Sequence, residues 1–219
     1  FELALAQGAD GIELDVHRSK DGTLVIVHDF TVDETTDGEG AVTDMTLAEL
    51  KSLDAGRWFD ARFTGVTIPT LDEVFESVGD KLYINVEIKS ISPETDGVEA
   101  LVAETITRHN MGGRVLVSSF NPLALRRFRD HLPNVPIGFL YQHGEYEDVW
   151  GLMDHMPHEA RHPHETMIDA AYMQWAREND YCVNTWTVND VDRAVALRDM
   201  GVSIIISDVP GKVKAALNG

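Results

Sequence analysis

Short apolar runs rich in β-branched residues recur along the chain and alternate with segments that carry helix signals. Seven runs are clear, and they occupy residues 11–17, 24–28, 82–89, 115–120, 135–141, 182–188 and 202–207. A weaker eighth run lies near 161–164. Alternation of strand-like and helix-like segments is typical of a parallel sheet whose strands are joined by helical crossovers. The pattern therefore predicts an α/β protein.

Helix-capping residues stand at the starts of several intervening segments. They are Thr46 with Glu49, Asn121 before Pro122, and Asn189-Asp190 ahead of a helix that ends before Gly201. The turn at Asp21-Gly22 instead joins two closely spaced runs, so this part is not a plain strand–helix–strand unit. Residues 30–70 predict an insertion with one or two helices, for which Trp58-Phe59 would be the hydrophobic anchor.

Polar residues alternate with aliphatic ones in two of the runs, at Glu13 and Asp15 in the first and at Glu87 and Lys89 in the third. Strands of a parallel sheet are usually apolar on both faces, whereas polar side chains near their carboxyl ends suit the mouth of a (β/α)8 barrel. No glycine-rich dinucleotide or phosphate fingerprint follows the first run. The sequence therefore predicts one (β/α)8 TIM-barrel domain over 1–219, with the insertion at about 30–70 over its mouth.

Glu13 and Asp15 are the first candidates for chemistry. Side chains at positions i and i+2 of a strand point to the same face, where two carboxylates repel each other unless a cation or a proton lies between them. Glu87 would add a third carboxylate from another strand. Three convergent carboxylates without cysteine predict a site for a hard divalent cation, Mg²⁺, Ca²⁺ or Mn²⁺. The alternative is that Glu13 and Asp15 lie on the solvated side of a surface strand.

His28 closes the second run, and Lys89 follows Glu87 on the same face of its strand. Beside a divalent cation, a histidine can act as a general acid or base, and a lysine can attract an anionic substrate such as a phosphate. Each residue also has a structural alternative. His28 would then only order Asp29, and Lys89 would form an internal salt bridge to one of the carboxylates.

Other aromatic and histidine residues give weaker signals. Phe120 and Trp186 lie near the ends of their runs, where they are compatible with core packing as well as with a ligand site. Four histidines cluster with irregular spacing and intervening prolines, at His155, His158, His162 and His164. Because no helical pair of metal ligands is evident among them, the stretch predicts a solvated loop, from which His164 could still reach the barrel mouth.

Composition narrows the possible function classes. The 219 residues include 18 Lys+Arg and 37 Asp+Glu, which gives a formal charge of −19. This charge argues against nonspecific binding to nucleic acid or to an anionic membrane, and no apolar run is long enough for insertion in a bilayer. The single cysteine, Cys182, excludes internal disulfides and multi-cysteine zinc sites. A small-molecule substrate is therefore favoured, and the oligomeric state stays open.

Eight segments resemble, in family order, the signature of the glycerophosphodiester phosphodiesterases. They are GIELDV at 11–16, KDG at 20–22, VIVHD at 25–29, IPTLDEV at 68–74, NVEIK at 85–89, VSSF at 117–120, NTWTVN at 184–189 and ISDVP at 206–210. Each segment alone would be weak evidence, but the ordered set is specific. The resemblance implies a (β/α)8 barrel that hydrolyses glycerophosphodiesters to glycerol 3-phosphate and an alcohol.

The resemblance also implies roles for seven residues. One divalent cation, Mg²⁺ or Ca²⁺, would be held at Glu13, Asp15 and Glu87, with His28 as one of two catalytic histidines, Lys89 near the phosphate, and Phe120 and Trp186 at the glycerol end of the substrate. The motifs His-Arg-Gly and Glu-Asn-Thr, which open the family pattern, do not occur in this chain. We therefore expect the first strand, the start of the first helix and the second histidine to be missing from it.

Two other functions stay open. The chain by itself could be an inactive fragment or pseudoenzyme that binds metal or phosphate without turnover. It could also be another phosphodiesterase on the same barrel, such as a phospholipase D-like toxin or a phosphatidylinositol-specific phospholipase, although the single cysteine argues against the toxins. The sequence favours a cytoplasmic location, and it leaves periplasmic or secreted placement open because the expected amino-terminal part is missing.

Overall fold

Eight strands form one continuous sheet in the computed structural model, which describes residues 1–219. The strands are β1 (Gly11–Arg18), β2 (Leu24–Ile26), β3 (Tyr83–Ile88), β4 (Val115–Ser119), β5 (Ile137–Tyr141), β6 (Ala160–Pro163), β7 (Cys182–Thr185) and β8 (Ile204–Ile205). Their order is β2-β1-β3-β4-β5-β6-β7-β8, and every neighbouring pair is parallel except β1 with β2. The weak run near 161–164 is thus confirmed as a strand, β6.

Eight α-helices accompany the strands, and five of them lie in the connections between parallel strands or directly before β3. The eight helices are α1 (Glu2–Ala6), α2 (Leu47–Lys51), α3 (Leu71–Val78), α4 (Val98–Arg108), α5 (Pro122–His131), α6 (Ala170–Glu178), α7 (Val191–Met200) and α8 (Pro210–Leu217). The sheet curls with these helices around it, so the predicted α/β barrel class is confirmed, and β2 and β8 form its two edges. None of the helices has the length and apolar character needed to cross a bilayer.

Local signals in the sequence account for most helix starts. Thr46 and Thr70 each form a capping box with the glutamate three residues later. The threonine hydroxyl accepts from the backbone N–H of the glutamate, and the glutamate carboxylate accepts from the backbone N–H of the threonine. At α7 the cap is Asp190, whose side chain accepts from the Arg193 N–H. The neighbouring Asn189 instead accepts hydrogen bonds from the Ser207 hydroxyl and from a backbone N–H, and so fastens the segment after β8.

The core consists of three clusters of buried hydrophobic residues. The largest has 26 members and lies between the sheet and α3, α4 and α5, and a second cluster of eight lies under α6, α7 and α8. The third has six members and holds the 30–70 segment against the end of β2. That segment contains α2 and two short 3₁₀ helices, Val42–Asp44 and Ala61–Phe63.

The predicted anchor of the 30–70 segment is wrong. Trp58 is 55% exposed and Phe59 is 70% exposed. The aliphatic side chains Val42 and Leu50 fill the space against β2 instead, and both are fully buried. Because this small core is already occupied, the aromatic pair stays on the surface, where the Trp58 indole N–H donates to the Ala55 carbonyl at 2.9 Å.

The predicted solvated histidine loop is also wrong at two of its four positions. His162 lies on β6 and is 1% exposed, and His158 is 8% exposed and stacks on Tyr181 at 4.6 Å between ring centroids. Inside the barrel, the Asn184 side-chain amide donates to His162 Nε2 at 2.8 Å. Burial lowers the pKa of His162 to about 3, so this imidazole is a neutral part of the barrel interior.

Gly138 on β5 makes room for His162. A Cβ atom at this position would lie 2.2 Å from His162 Nε2, inside a barrel that gives the imidazole no space to move. We expect Gly138→Ala to lower the free energy of unfolding by about 1–3 kcal/mol, the usual cost of overpacking a core. Urea denaturation measures this change. Gly113→Ala is the control, because nothing lies within 4 Å of its added methyl, and equal midpoints for the two variants would contradict the prediction.

Candidate active site

Three carboxylates converge on the face of β1 and β3 that looks into the barrel mouth. The parallel register places Glu13 beside Asn85 and Asp15 beside Glu87. Since side chains alternate along a strand, Glu13, Asp15 and Glu87 all point the same way. One ligand oxygen from each of them can be chosen so that the three lie within 4.8 Å of one another. The structure therefore brings together the three residues predicted to hold a cation.

Lys89 lies among these carboxylates. Its Nζ is 3.2 Å from Asp15 Oδ1 and 3.1 Å from Glu87 Oε1. The lysine side chain is 11% exposed, and those of Asp15 and Glu87 are 13% and 10% exposed. The internal salt bridge named above as the structural alternative for Lys89 is thus present. One ammonium group can balance only one of the three carboxylates, so two of the carboxyl groups have no positive partner.

The pKa values in this group respond to that imbalance. Burial, followed by repulsion from Asp15 and Glu87, raises the pKa of Glu13 well above its usual range. Burial also raises the pKa of Asp15, and it raises that of Glu87 to about 7 despite the nearby Lys89. For Lys89, burial opposes the charged form, but attraction to Glu87 and Asp15 outweighs it and raises the pKa. Removal of a proton from each carboxyl would therefore be favoured by a bound cation.

The donor set fits a hard divalent cation. All three candidate ligands offer oxygen, and a charge of +2 would balance the two excess carboxylates. Glu13 Oε1 is buried and has no hydrogen-bond partner, which is costly for a polar atom unless something else satisfies it. These observations make the cluster suited to a cation such as Mg²⁺ or Ca²⁺.

His28 stands in the wall of the same cavity, two residues beyond the end of β2. Its side chain is 74% exposed, and its Nδ1 lies 2.8 Å from Asp29 Oδ1. When Nδ1–H donates to this carboxylate, the other ring nitrogen, Nε2, remains available for a substrate. The position of His28 at the cavity supports an acid/base role. Its contact with Asp29 is also the one expected if His28 had only a structural role.

Phe120 and Trp186 form an aromatic corner in the cavity. Their ring centroids are 5.6 Å apart with the rings at 81°. The Trp186 indole N–H donates to the His162 carbonyl at 3.0 Å, which fixes the ring, and His164 packs edge-on against it at 5.2 Å. Both aromatic residues are half-buried, so each leaves part of its ring facing the cavity.

All seven predicted site residues border a single cavity of about 490 Å³. Several other residues that the sequence pattern did not indicate also border it, among them Phe30, Gln142, Glu145, Tyr146 and Asp208. Four of them follow β5 or β8, at the carboxyl ends of parallel strands, where barrel enzymes place their sites. That position was a signal that could have found them, and Asp208 also lies in the family segment at 206–210. Phe30 follows the antiparallel strand β2, and tertiary packing brings it to the cavity.

His17 is a buried neighbour of the site that the sequence also did not single out. It is 2% exposed, and its ring packs edge-on against Phe30 at 5.2 Å. Burial, with a smaller contribution from the positive charge of Lys89, lowers the pKa of His17 to about 4. The imidazole is therefore neutral at physiological pH, and it packs against Phe30, which itself borders the cavity.

Comparison with known proteins agrees with this geometry. Residues 1–212 match the model of the glycerophosphoryl diester phosphodiesterase family. The chain belongs to this family. It is 43% identical over 211 residues to a glycerophosphodiester phosphodiesterase of Caldanaerobacter subterraneus, an alignment that covers 96% of this chain and 86% of that protein.

Solved structures of family members superpose on nearly the whole chain. An Oleispira antarctica phosphodiesterase, solved in complex with the product sn-glycerol-3-phosphate, has a TM-score of 0.85 and 31% identity, and the match covers 99% of this chain and 89% of that one. A glycerophosphodiester phosphodiesterase from Agrobacterium tumefaciens has a TM-score of 0.81 and 28% identity, with 98% and 90% covered. Both the family assignment and the barrel fold rest on nearly the full length of the chain.

Proposed function

We propose that the protein hydrolyses glycerophosphodiesters to glycerol 3-phosphate and an alcohol, in a reaction that depends on one divalent cation. The observation that carries the proposal is the largely buried group of three carboxyl groups around one lysine, which can balance only one of them when they are ionised. Structural sites rarely keep such an imbalance, because buried like charges repel each other strongly. A phosphodiester site that uses Mg²⁺ or Ca²⁺ requires such excess carboxylates to hold the cation.

Glu13, Asp15 and Glu87 would hold the cation. When bound, it would supply positive charge to the nonbridging phosphate oxygens, on which negative charge accumulates as the phosphorus is attacked. Lys89 would contribute a second positive charge to the same oxygens, because its ammonium group borders the cavity beside the carboxylates. This neutralisation lets an oxygen nucleophile approach a substrate that otherwise repels it.

His28 would act as the general acid, and the second histidine of the family pattern, whose motif does not occur in this chain, would take the proton of the attacking oxygen. With Nδ1–H held by Asp29, the imidazolium can give its Nε2 proton to the oxygen of the departing alcohol. The Asp29 carboxylate would orient the ring through this contact. Phe120 and Trp186 would cover the carbon atoms of the glycerol group, for which an apolar aromatic corner is suited.

The experiment that tests this proposal is a product analysis with glycerophosphoethanolamine and Mg²⁺ or Ca²⁺. We expect glycerol 3-phosphate and ethanolamine to form in equal amounts. Glycerol 3-phosphate is measured by ³¹P NMR and ethanolamine by amine detection. Metal binding by calorimetry without any product would favour the alternative, a barrel that binds cation without turnover.

A further inference from the structure

The cavity extends beyond the aromatic corner to a rim formed by the loop after β5. Tyr146 lies next to Phe120, at 6.1 Å between ring centroids, but is more exposed, at 46%. Its neighbour Glu145 and the residue Asp208 also border the cavity. Glu145 and Tyr146 thus form an outer rim of the cavity next to the corner of Phe120 and Trp186, and Asp208, which follows β8, borders the same cavity.

Glu145 differs from its neighbour Glu147 in having no partner. The Glu147 carboxylate accepts from the Gly144 N–H at 2.9 Å and lies 3.4 Å from His143 Nδ1, so it fastens the loop. The Glu145 side chain makes no hydrogen bond or ion pair, and only its backbone N–H is engaged, with the Gln142 carbonyl. Its carboxylate is therefore available to a ligand at the rim.

The backbone of the loop presents Tyr146 in an unusual conformation. Tyr146 has φ +49° and ψ +30°, in the left-handed region that is costly for a residue with a Cβ atom. A bulky residue persists there only where its surroundings hold it, and such positions concentrate at ligand sites. Here the consequence is an aromatic ring that faces the cavity beside a free carboxylate.

The charge balance of the cavity differs between its two ends. Five carboxylates border it, and Lys89 is the only lysine or arginine that does so. At the inner end, a divalent cation and Lys89 would together balance Glu13, Asp15 and Glu87. At the outer rim, Glu145 has no counter-charge. Asp208, which also borders the cavity, has only the neutral Asn189 amide, which donates to it at 2.7 Å. The rim is therefore negative even when the inner end is neutral.

We propose that the outer rim selects substrates whose alcohol carries an ammonium group, with Glu145 and Tyr146 as the residues that recognise it. The inference rests on the proposed function, because it concerns the alcohol half of the same substrate. A substituted ammonium is attracted to aromatic faces and to carboxylates together, and a neutral alcohol of the same shape gains neither attraction. Glu145 and Tyr146 would then set the choice of alcohol without taking part in the reaction at phosphorus.

The test compares two substrates of equal shape. One is glycerophosphocholine, and the other is the glycerol phosphate ester of 3,3-dimethylbutanol, in which carbon replaces the charged nitrogen. We expect the wild-type kcat/KM to be about fivefold or more higher for the choline ester, and this ratio to fall as salt is added. Glu145→Gln should lower the ratio about threefold and leave kcat/KM for the neutral ester unchanged.

Asp148→Asn is the matched control, since Asp148 is an exposed acid in the same part of the chain that does not border the cavity. It should leave the ratio at the wild-type value. Equal kcat/KM for the two esters in the wild type, or an equal loss for both in Glu145→Gln, would overturn the inference while leaving the proposed function intact. If neither ester is hydrolysed, the proposed function fails and the inference fails with it.

Discussion

Replacing Glu87 by glutamine is expected to abolish the response of the protein to divalent cations and to lower turnover by about 10³-fold. Glutamine keeps the shape of the side chain but removes one of the three negative charges that would hold the cation. Lys89 would then balance one of the two remaining carboxylates, so the affinity of the site for Mg²⁺ or Ca²⁺ would fall. Two independent readouts, thermal unfolding and turnover, should change together.

The melting temperature of the metal-free protein provides a second expected result for Glu87→Gln. Burial raises the pKa of Glu87 to about 7, which means that the folded protein disfavours its charged form. The neutral glutamine avoids this cost, so without metal the melting temperature of Glu87→Gln should be no lower than that of the wild type. With metal, only the wild type should gain stability, as expected when a ligand binds the native state alone.

Glu76→Gln on α3 is the control, because Glu76 is exposed and lies outside the cavity. It should keep both the stabilisation by metal and the turnover. A Glu87→Gln variant that still gains stability from Mg²⁺ or Ca²⁺ would show that the three carboxylates are not the cation site.

Replacing His28 by alanine is expected to lower turnover by about 10²–10⁴-fold, the usual contribution of a general acid or base. The variant should still be stabilised by metal, because His28 is not among the three candidate ligands. Loss of turnover with retention of metal binding separates an acid/base role from a ligand role. Steady-state kinetics and thermal unfolding with and without metal provide the two measurements.

His155→Ala serves as the control, since His155 is also exposed but lies in the 3₁₀ helix Glu147–His155, away from the cavity. If His28→Ala kept near-normal turnover, the contact between His28 and Asp29 would be a structural one only. That outcome would leave the cation site in place and remove the histidine from the mechanism.

The positions of the strands and the inner end of the site could be predicted from sequence because each depends on local patterns. Alternation along β1 and β3 places Glu13, Asp15 and Glu87 on one face, and parallel pairing of those strands brings them together. Even β6, whose run is weak, lies in the sheet as expected. His28, Lys89, Phe120 and Trp186 were candidates from their positions at the ends of runs, and the family resemblance then gave them roles. All four border the cavity.

The errors arose where tertiary packing decides the environment of a residue. His162 is polar, and only the neighbouring Gly138 and Asn184 make its burial on β6 possible. Trp58 is apolar, but Val42 and Leu50 already fill the core that it was expected to enter. The outer rim was missed for a related reason, since nothing in the run of residues after β5 indicates that Glu145 and Tyr146 turn toward the cavity.

The central claim is that this barrel cleaves glycerophosphodiesters with a divalent cation held by three carboxylates. The most direct measurement is the hydrolysis of glycerophosphoethanolamine by protein that has been dialysed exhaustively against EDTA, before and after Mg²⁺ or Ca²⁺ is added back. We predict no glycerol 3-phosphate from the chelated protein and full turnover once the cation is restored. Undiminished release of glycerol 3-phosphate by the chelated protein would contradict the account.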